Sequence, residues 1–178
     1  DVTDMGTGIF WAAFAMFGAT TGSILSGAVI ERIRVSAFLI LTVFLGSVVW
    51  ILAGAWGWHP DGWLLTDLGY HDVGASGVVH AVAGFFTLGV LINLGPRVGK
   101  FINGVAQTIA PHSLPMTLIG LMMIIFGFFG FLGGCIIFNG GETGWTTIYG
   151  NPTNLSAFAF NTLMGFAGGV IGCYIASR

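Results

Sequence analysis

The sequence predicts an all-α polytopic membrane protein with about five transmembrane helices, on three observations. Hydrophobic residues fill 55% of the 178 positions and charged residues only 7%, with a mean hydropathy of +0.91, where ordinary soluble domains carry roughly 25% charge. Five apolar stretches each approach the roughly 20 residues that a helix rising about 1.5 Å per residue needs to cross hydrocarbon. The five cations, Arg32, Arg34, Arg97, Lys100 and Arg178, lie between or after those stretches and never inside one.

The first helix is expected over 7–30, closed by Glu31-Arg-Ile-Arg34, and the second over 36–58. The third, 74–94, opens behind Asp72 and ends at Gly95-Pro-Arg-Val-Gly-Lys100; the fourth is expected over 115–138 and the fifth over 155–176, capped by Asn154 or Ser156. Odd-numbered helices therefore end on one basic side. Every acid except Glu31, namely Asp1, Asp4, Asp61, Asp67, Asp72 and Glu142, falls toward the opposite side. Positive charge marks the cytoplasmic face, which places the N-terminus outside and the C-terminus inside. Trp50, Trp56, Trp58, Trp63 and Trp145 gather toward the acidic side, as interfacial indoles do.

Segment 57–72 mixes turn formers with aromatics and reads as a folded loop over a vestibule, while 139–154 is polar and turn-rich. The whole of 1–178 reads as one transmembrane domain. A first residue other than Met reads as processing or truncation upstream. The 30 glycines recur at helical spacing, as in Gly18-Gly22, Gly127-Gly130-Gly133-Gly134, Gly165-Gly169 and Gly168-Gly172, which predicts close helix packing. Cys135 and Cys173 sit in apolar sequence and read as small buried hydrophobes.

The chemistry concentrates in Asp72-Val-Gly-Ala-Ser-Gly-Val-Val-His80. Asp72 is placed to accept from the free N–H groups of Gly74 or Ala75 and to oppose the positive end of the helix dipole; an electrostatic role toward a cation in the vestibule is the other reading. His80, eight positions on, is expected two turns inside the helix, roughly 12 Å deep. An ionisable group at that depth is a functional candidate, and an imidazole offers one donor and one acceptor to a small polar solute. His59, His71 and His112 read as solvated loop residues. Phe128 and Phe131 share a helix face, and Phe17 and Trp58 approach the outer side from other helices; such rings attract small cations. The chain carries no metal-ligand spacing, P-loop, Gly-x-Ser-x-Gly or dinucleotide fingerprint, so it reads as a non-enzyme with no cofactor and no nucleic-acid partner.

These residues resemble the ammonium transporter, methylammonium permease and Rhesus (Amt/Mep/Rh) family. Asp72 to His80 is similar to its Asp-Phe-Ala-Gly-Gly-Thr-Val-Val-His segment, and Met16-Phe-Gly-Ala-Thr-Thr-Gly-Ser-Ile-Leu-Ser-Gly-Ala-Val-Ile-Glu-Arg-Ile-Arg34 to its Ser-Gly-Ala-x-x-Glu-Arg signature. Ser113-Leu-Pro-Met116 and Gly127-Phe-Phe-Gly-Phe-Leu-Gly-Gly134 are like the family's Asn-Leu-Pro and Gly-Trp-Phe-Gly-Phe-Asn-x-Gly runs. The resemblance implies an eleven-helix fold in two inverted halves, trimers with one pore per subunit, and passage of ammonium or ammonia. This chain corresponds to helices three to seven.

Carried over by position, the resemblance makes Phe17, Trp58, Cys135 and Asp72 the outer recruitment site, Phe131 and Phe128 the gate region, and His80 the first of two pore histidines. The second histidine belongs to a later helix. Ala13 stands where the other gate phenylalanine is expected, with Phe14 adjacent; Phe128 replaces Trp, Leu132 replaces Asn, and Cys135 replaces Ser. The expected function is ammonium or ammonia transport through a histidine-lined pore in the plasma (inner) membrane, as a homotrimer or part of a larger assembly. A non-conducting structural subunit and an ammonium-sensing module are the alternatives.

Overall fold

In lipid, backbone groups find partners only in each other, so long apolar runs become helices. The computed structural model describes residues 5–138 and 144–177. Among them, five helices are long and apolar enough to cross a membrane: α1 (Met5–Val29), α2 (Val35–Gly57), α4 (Ser76–Leu94), α5 (Leu114–Gly134) and α6 (Leu155–Ala176), with the one-turn α3 (Trp63–Thr66) between the second and third. The protein is an all-α polytopic integral membrane bundle. Asp1, Asp4, Glu142 and Arg178, used above for sidedness, lie outside the described residues, as does part of the loop 139–154.

Several boundaries shift by a residue or two from the expectation, and two of the differences have a local physical cause. The third span starts at Ser76 rather than 74, because Ala75 takes a left-handed conformation (φ 62°) that no helix continues through. The fourth ends at Gly134; beyond it Ile136–Phe138 forms strand β3, antiparallel to β4 (Trp145–Thr147), which pairs with β5 (Pro152–Thr153). The apolar run continues, but two glycines end the helix and β-branched and aromatic residues suit a strand.

Two compact units make up the chain, Asp1–Ala110 and Pro111–Arg178. In the first, Leu25, Val29 and Leu45 are fully buried among Phe38, Leu41, Val82, Phe86 and Leu94, which locks α1 to α2 and α4. Helix α2 is interrupted by a π-helical turn, Leu45–Val49, where it crosses α1 so closely that a Cβ on Gly46 would stand 3.0 Å from the Gly18 carbonyl. A Cβ on Gly22 would stand 2.6 Å from Thr42 Cγ2. The expected glycine-mediated packing is real at this crossing. It is absent at Gly127, Gly130, Gly165, Gly168, Gly169 and Gly172, where an added Cβ would meet nothing within 4 Å.

Arg32 closes the basic end of this unit. Its Nη1 donates to the Gly95 carbonyl and its Nη2 to the Ala28 carbonyl, each at 2.9 Å, so one guanidinium serves the carboxyl ends of α1 and α4. Beyond α4, β1 (Phe101–Ile102) and β2 (Val105–Ala106) form a hairpin turned by Asn103 (φ 51°) and Gly104 (φ 78°). Asn-Gly with both central residues at positive φ is the turn whose twist suits paired strands.

Segment 57–72 is folded as expected. Gly62 N–H donates to His59 O at 2.8 Å and Tyr70 N–H to Leu64 O at 2.9 Å, while His59 and His71 stay exposed. Trp50 departs from the interfacial reading: it is 5% exposed and packed inside the unit.

In the second unit, the Ser113 hydroxyl caps α5 by accepting from Met116 N–H at 3.4 Å, with a proline in the first turn. Asn154, of the two candidates, caps α6: its side chain accepts from Ala157 N–H at 2.7 Å. Phe129 and Phe128 join α5 to α6 through Phe158 and Phe166, with ring centroids 6.0 and 6.1 Å apart. Cys135 is half-buried and Cys173 exposed, so the buried-hydrophobe reading fails for Cys173.

Candidate functional site

The site in the first unit grows from the start of α4. A helix begins with N–H groups that have no partner in their own chain, and in an apolar bundle a side chain must meet them. Asp72 does so from a position 1% exposed. Its Oδ1 accepts from Ser76 N–H at 2.8 Å and Ser76 Oγ at 3.1 Å. Its Oδ2 accepts from Gly77 N–H at 2.9 Å, Val78 N–H at 2.8 Å and the Tyr70 hydroxyl at 3.3 Å. The donors are not those of Gly74 or Ala75. Left-handed Ala75 turns the chain so that the carboxylate faces the next three residues.

The helix opens with a π turn, Ser76–Ala81, in which the Ala75 carbonyl accepts from both Val79 N–H (3.2 Å) and His80 N–H (3.1 Å). Turns of this kind recur at functional sites, because the extra residue swings side chains out of the regular register. His80 therefore stands one turn into the helix, not two, about 6 Å along its axis. Val78 and Val79 are buried, whereas His80 is on an exposed face of this chain.

Asp72 also works through its backbone. The Trp58 indole Nε1 donates to the Asp72 carbonyl at 2.8 Å, which fixes the plane of that ring. Phe17 meets it edge to face, with centroids 4.8 Å apart and planes at 64°. Phe14 joins at 5.7 Å from Trp58 and 6.0 Å from Phe17, and Trp50 lies 5.9 Å from Phe14 and 6.4 Å from Phe17. Four rings thus cluster beside the start of α4. Edge-to-face contacts of this sort hold rings rigid while leaving π faces for a cation.

The sequence leaves Tyr70 unassigned, reads Trp50 as interfacial, and names Phe14 only as the neighbour of Ala13 at the expected gate position. The spacings are Phe14 and Phe17 three apart on α1, Trp50 on α2 and Trp58 eight residues later just past its end, and Tyr70 two before Asp72. A Cβ on Gly77 would overlap the Tyr70 hydroxyl, so Gly77 is needed for Tyr70 to reach the carboxylate.

In the second unit, Phe128 and Phe131 meet edge to face at 6.3 Å near the end of α5. Cys135 follows in the turn after that helix, its N–H donating to Leu132 O at 3.1 Å. Phe17, Trp58, Asp72 and His80 are thus gathered in one unit, and Phe128, Phe131 and Cys135 in the other.

Comparison with known proteins adds to this geometry. The Ammonium Transporter Family matches residues 1–178. Over 175 residues the chain is 31% identical to the ammonium transporter Amt1 of Methanocaldococcus jannaschii, covering 98% of this chain and 42% of that protein. It is 33% identical to Amt2 of the same organism over 94% of the chain and 36% of the relative, and 35% identical to ammonium transporter 1 member 4 of Arabidopsis thaliana over 83% and 32%. It spans less than half the length of each. No solved structure matches the chain. Five apolar spans, a buried carboxylate at the head of the third, and a match along the full sequence lead to one conclusion: this chain belongs to the Ammonium Transporter Family.

Proposed function

We propose that this chain, as one transmembrane domain, forms part of an ammonium or ammonia channel in the plasma membrane, with its N-terminus outside. Phe17 and Trp58 recruit the cation, Asp72 positions that site, Cys135 contributes a polar atom, Phe131 and Phe128 form the gate region, and His80 lines the pore. The observation that carries the reading is the double use of Asp72: its carbonyl orients the Trp58 indole and its carboxylate holds the helix turn that presents His80.

A cation over an aromatic face gains roughly 1–2 kcal/mol where water is scarce. That suffices to concentrate ammonium but leaves it able to depart. The His80 imidazole then offers one donor and one acceptor to a solute that has shed water. The relatives are named ammonium transporters and run more than twice this length, so the remaining helices and the second pore histidine come from sequence beyond these residues or from another chain, in a trimer or larger assembly.

Uptake of labelled methylammonium into vesicles holding the protein with its co-purifying partners tests this. Saturable uptake that falls at least tenfold in His80→Ala is expected. Absence of flux in the unaltered protein sinks the channel reading; ammonium binding without flux would favour the sensing module.

A further inference from the structure

We propose that the basic end of the first unit binds the phosphate headgroup of an anionic lipid. Arg32, Arg97 and Lys100, three of the chain's five cations, line one pocket of about 430 Å³ together with Pro96 and Ile109. The pocket lies just past the carboxyl ends of α1 and α4, which Arg32 ties together, and so at the depth where a bilayer's headgroups begin. Basic pockets between helix ends at that level are anionic-lipid sites.

Positive charge remains in excess there. Glu31 is the acid at this end, 3.8 Å from Arg97 Nε, with its side chain 64% exposed and that of Arg97 39%, so one carboxylate faces three cations. Lys100 Nζ donates to Gln107 O at 2.9 Å, which uses one of its three N–H groups and holds the ammonium at the pocket. Arg32 spends two donors on backbone carbonyls and contributes its fixed charge.

A second observation points to lipid over free phosphate. The hairpin after Lys100 and the segment leading into it expose apolar side chains: Val98, just before the hairpin, is 96% exposed, and within it Val105 is 63%, Ile102 56% and Phe101 54% exposed. Apolar side chains beside cations at a helix end are the composition of a surface that dips into the acyl boundary while pairing with phosphates above it.

The test is native mass spectrometry of the purified chain in neutral detergent, titrated with phosphatidylglycerol or phosphatidylcholine of the same acyl length. Retention of phosphatidylglycerol about tenfold tighter than phosphatidylcholine is expected, with the difference abolished in Arg97→Gln/Lys100→Gln and kept in Arg97→Lys/Lys100→Arg. Arg32 is left intact because it joins two helices. Equal retention of the two lipids by the unaltered chain overturns the proposal whatever the variants do. So does displacement of phosphatidylglycerol by millimolar inorganic phosphate, which would make the site one for the free anion.

Discussion

Trp58 and Asp72, fourteen residues apart, are joined by an indole N–H donating to a backbone carbonyl at 2.8 Å, and the same aspartate gathers five donors on its carboxylate. Ring orientation and helix start are therefore coupled through one residue.

Replacing Asp72 by Ala strands three backbone N–H groups in an apolar setting. Charge-assisted hydrogen bonds contribute about 1.5–3 kcal/mol each, and their losses overlap, so a net cost of roughly 3 kcal/mol is expected. Thermal unfolding in detergent reads it. Trp58 keeps its partner, because the carbonyl it meets belongs to the backbone, so a change in tryptophan emission would report a shift of that backbone; an unchanged midpoint would show the cap to be dispensable.

At Gly77, an Ala side chain collides with the Tyr70 hydroxyl. Overpacking costs about 1–3 kcal/mol. Because the colliding atom is the hydroxyl, Tyr70→Phe should recover part of the loss in the double variant, giving a positive coupling in a double-mutant cycle. Strict additivity would mean that the two residues do not meet.

Gly46 and Gly169 are both helical glycines in apolar spans but should respond oppositely to Ala. Gly46 faces the Gly18 backbone, so Gly46→Ala pushes two helices apart and lowers stability by about 1 kcal/mol. Gly169 meets nothing in this chain, and Gly169→Ala should raise helix stability by about 0.5–1 kcal/mol through lost backbone freedom. Circular dichroism melts of the isolated chain distinguish them, and a matching fall for both would place Gly169 against a neighbour.

Trp58→Phe keeps a ring but removes the N–H that holds it. Apparent affinity for methylammonium should weaken severalfold, on the order of 1 kcal/mol, and Trp58→Ala more. The readout is half-saturation of uptake, and a Phe variant equal to the unaltered protein would mean that the Asp72 carbonyl does not orient the site.

By itself the sequence determined the class, the five spans and their order, the cap at Asp72, a choice of two caps for α6, and the family signatures. These depend on apolar length and on capping chemistry, which act over a few residues. The Asn103-Gly104 turn was equally local and would have been found by the same rule. What only the tertiary structure decided is phase. Helices apolar on every side carry no stripe to say which face turns inward, and the π turns at Leu45–Val49 and Ser76–Ala81 each add a residue that rotates everything after them. Hence Tyr70 joined the site unforeseen, Trp50 joined it instead of the interface, Phe14 entered the ring cluster beside Phe17, His80 stood one turn deep rather than two, and the carboxylate met Ser76, Gly77 and Val78. At the end of α5 the two glycines gave a local stop signal, but that Ile136–Phe138 becomes a strand depends on its pairing with Trp145–Thr147.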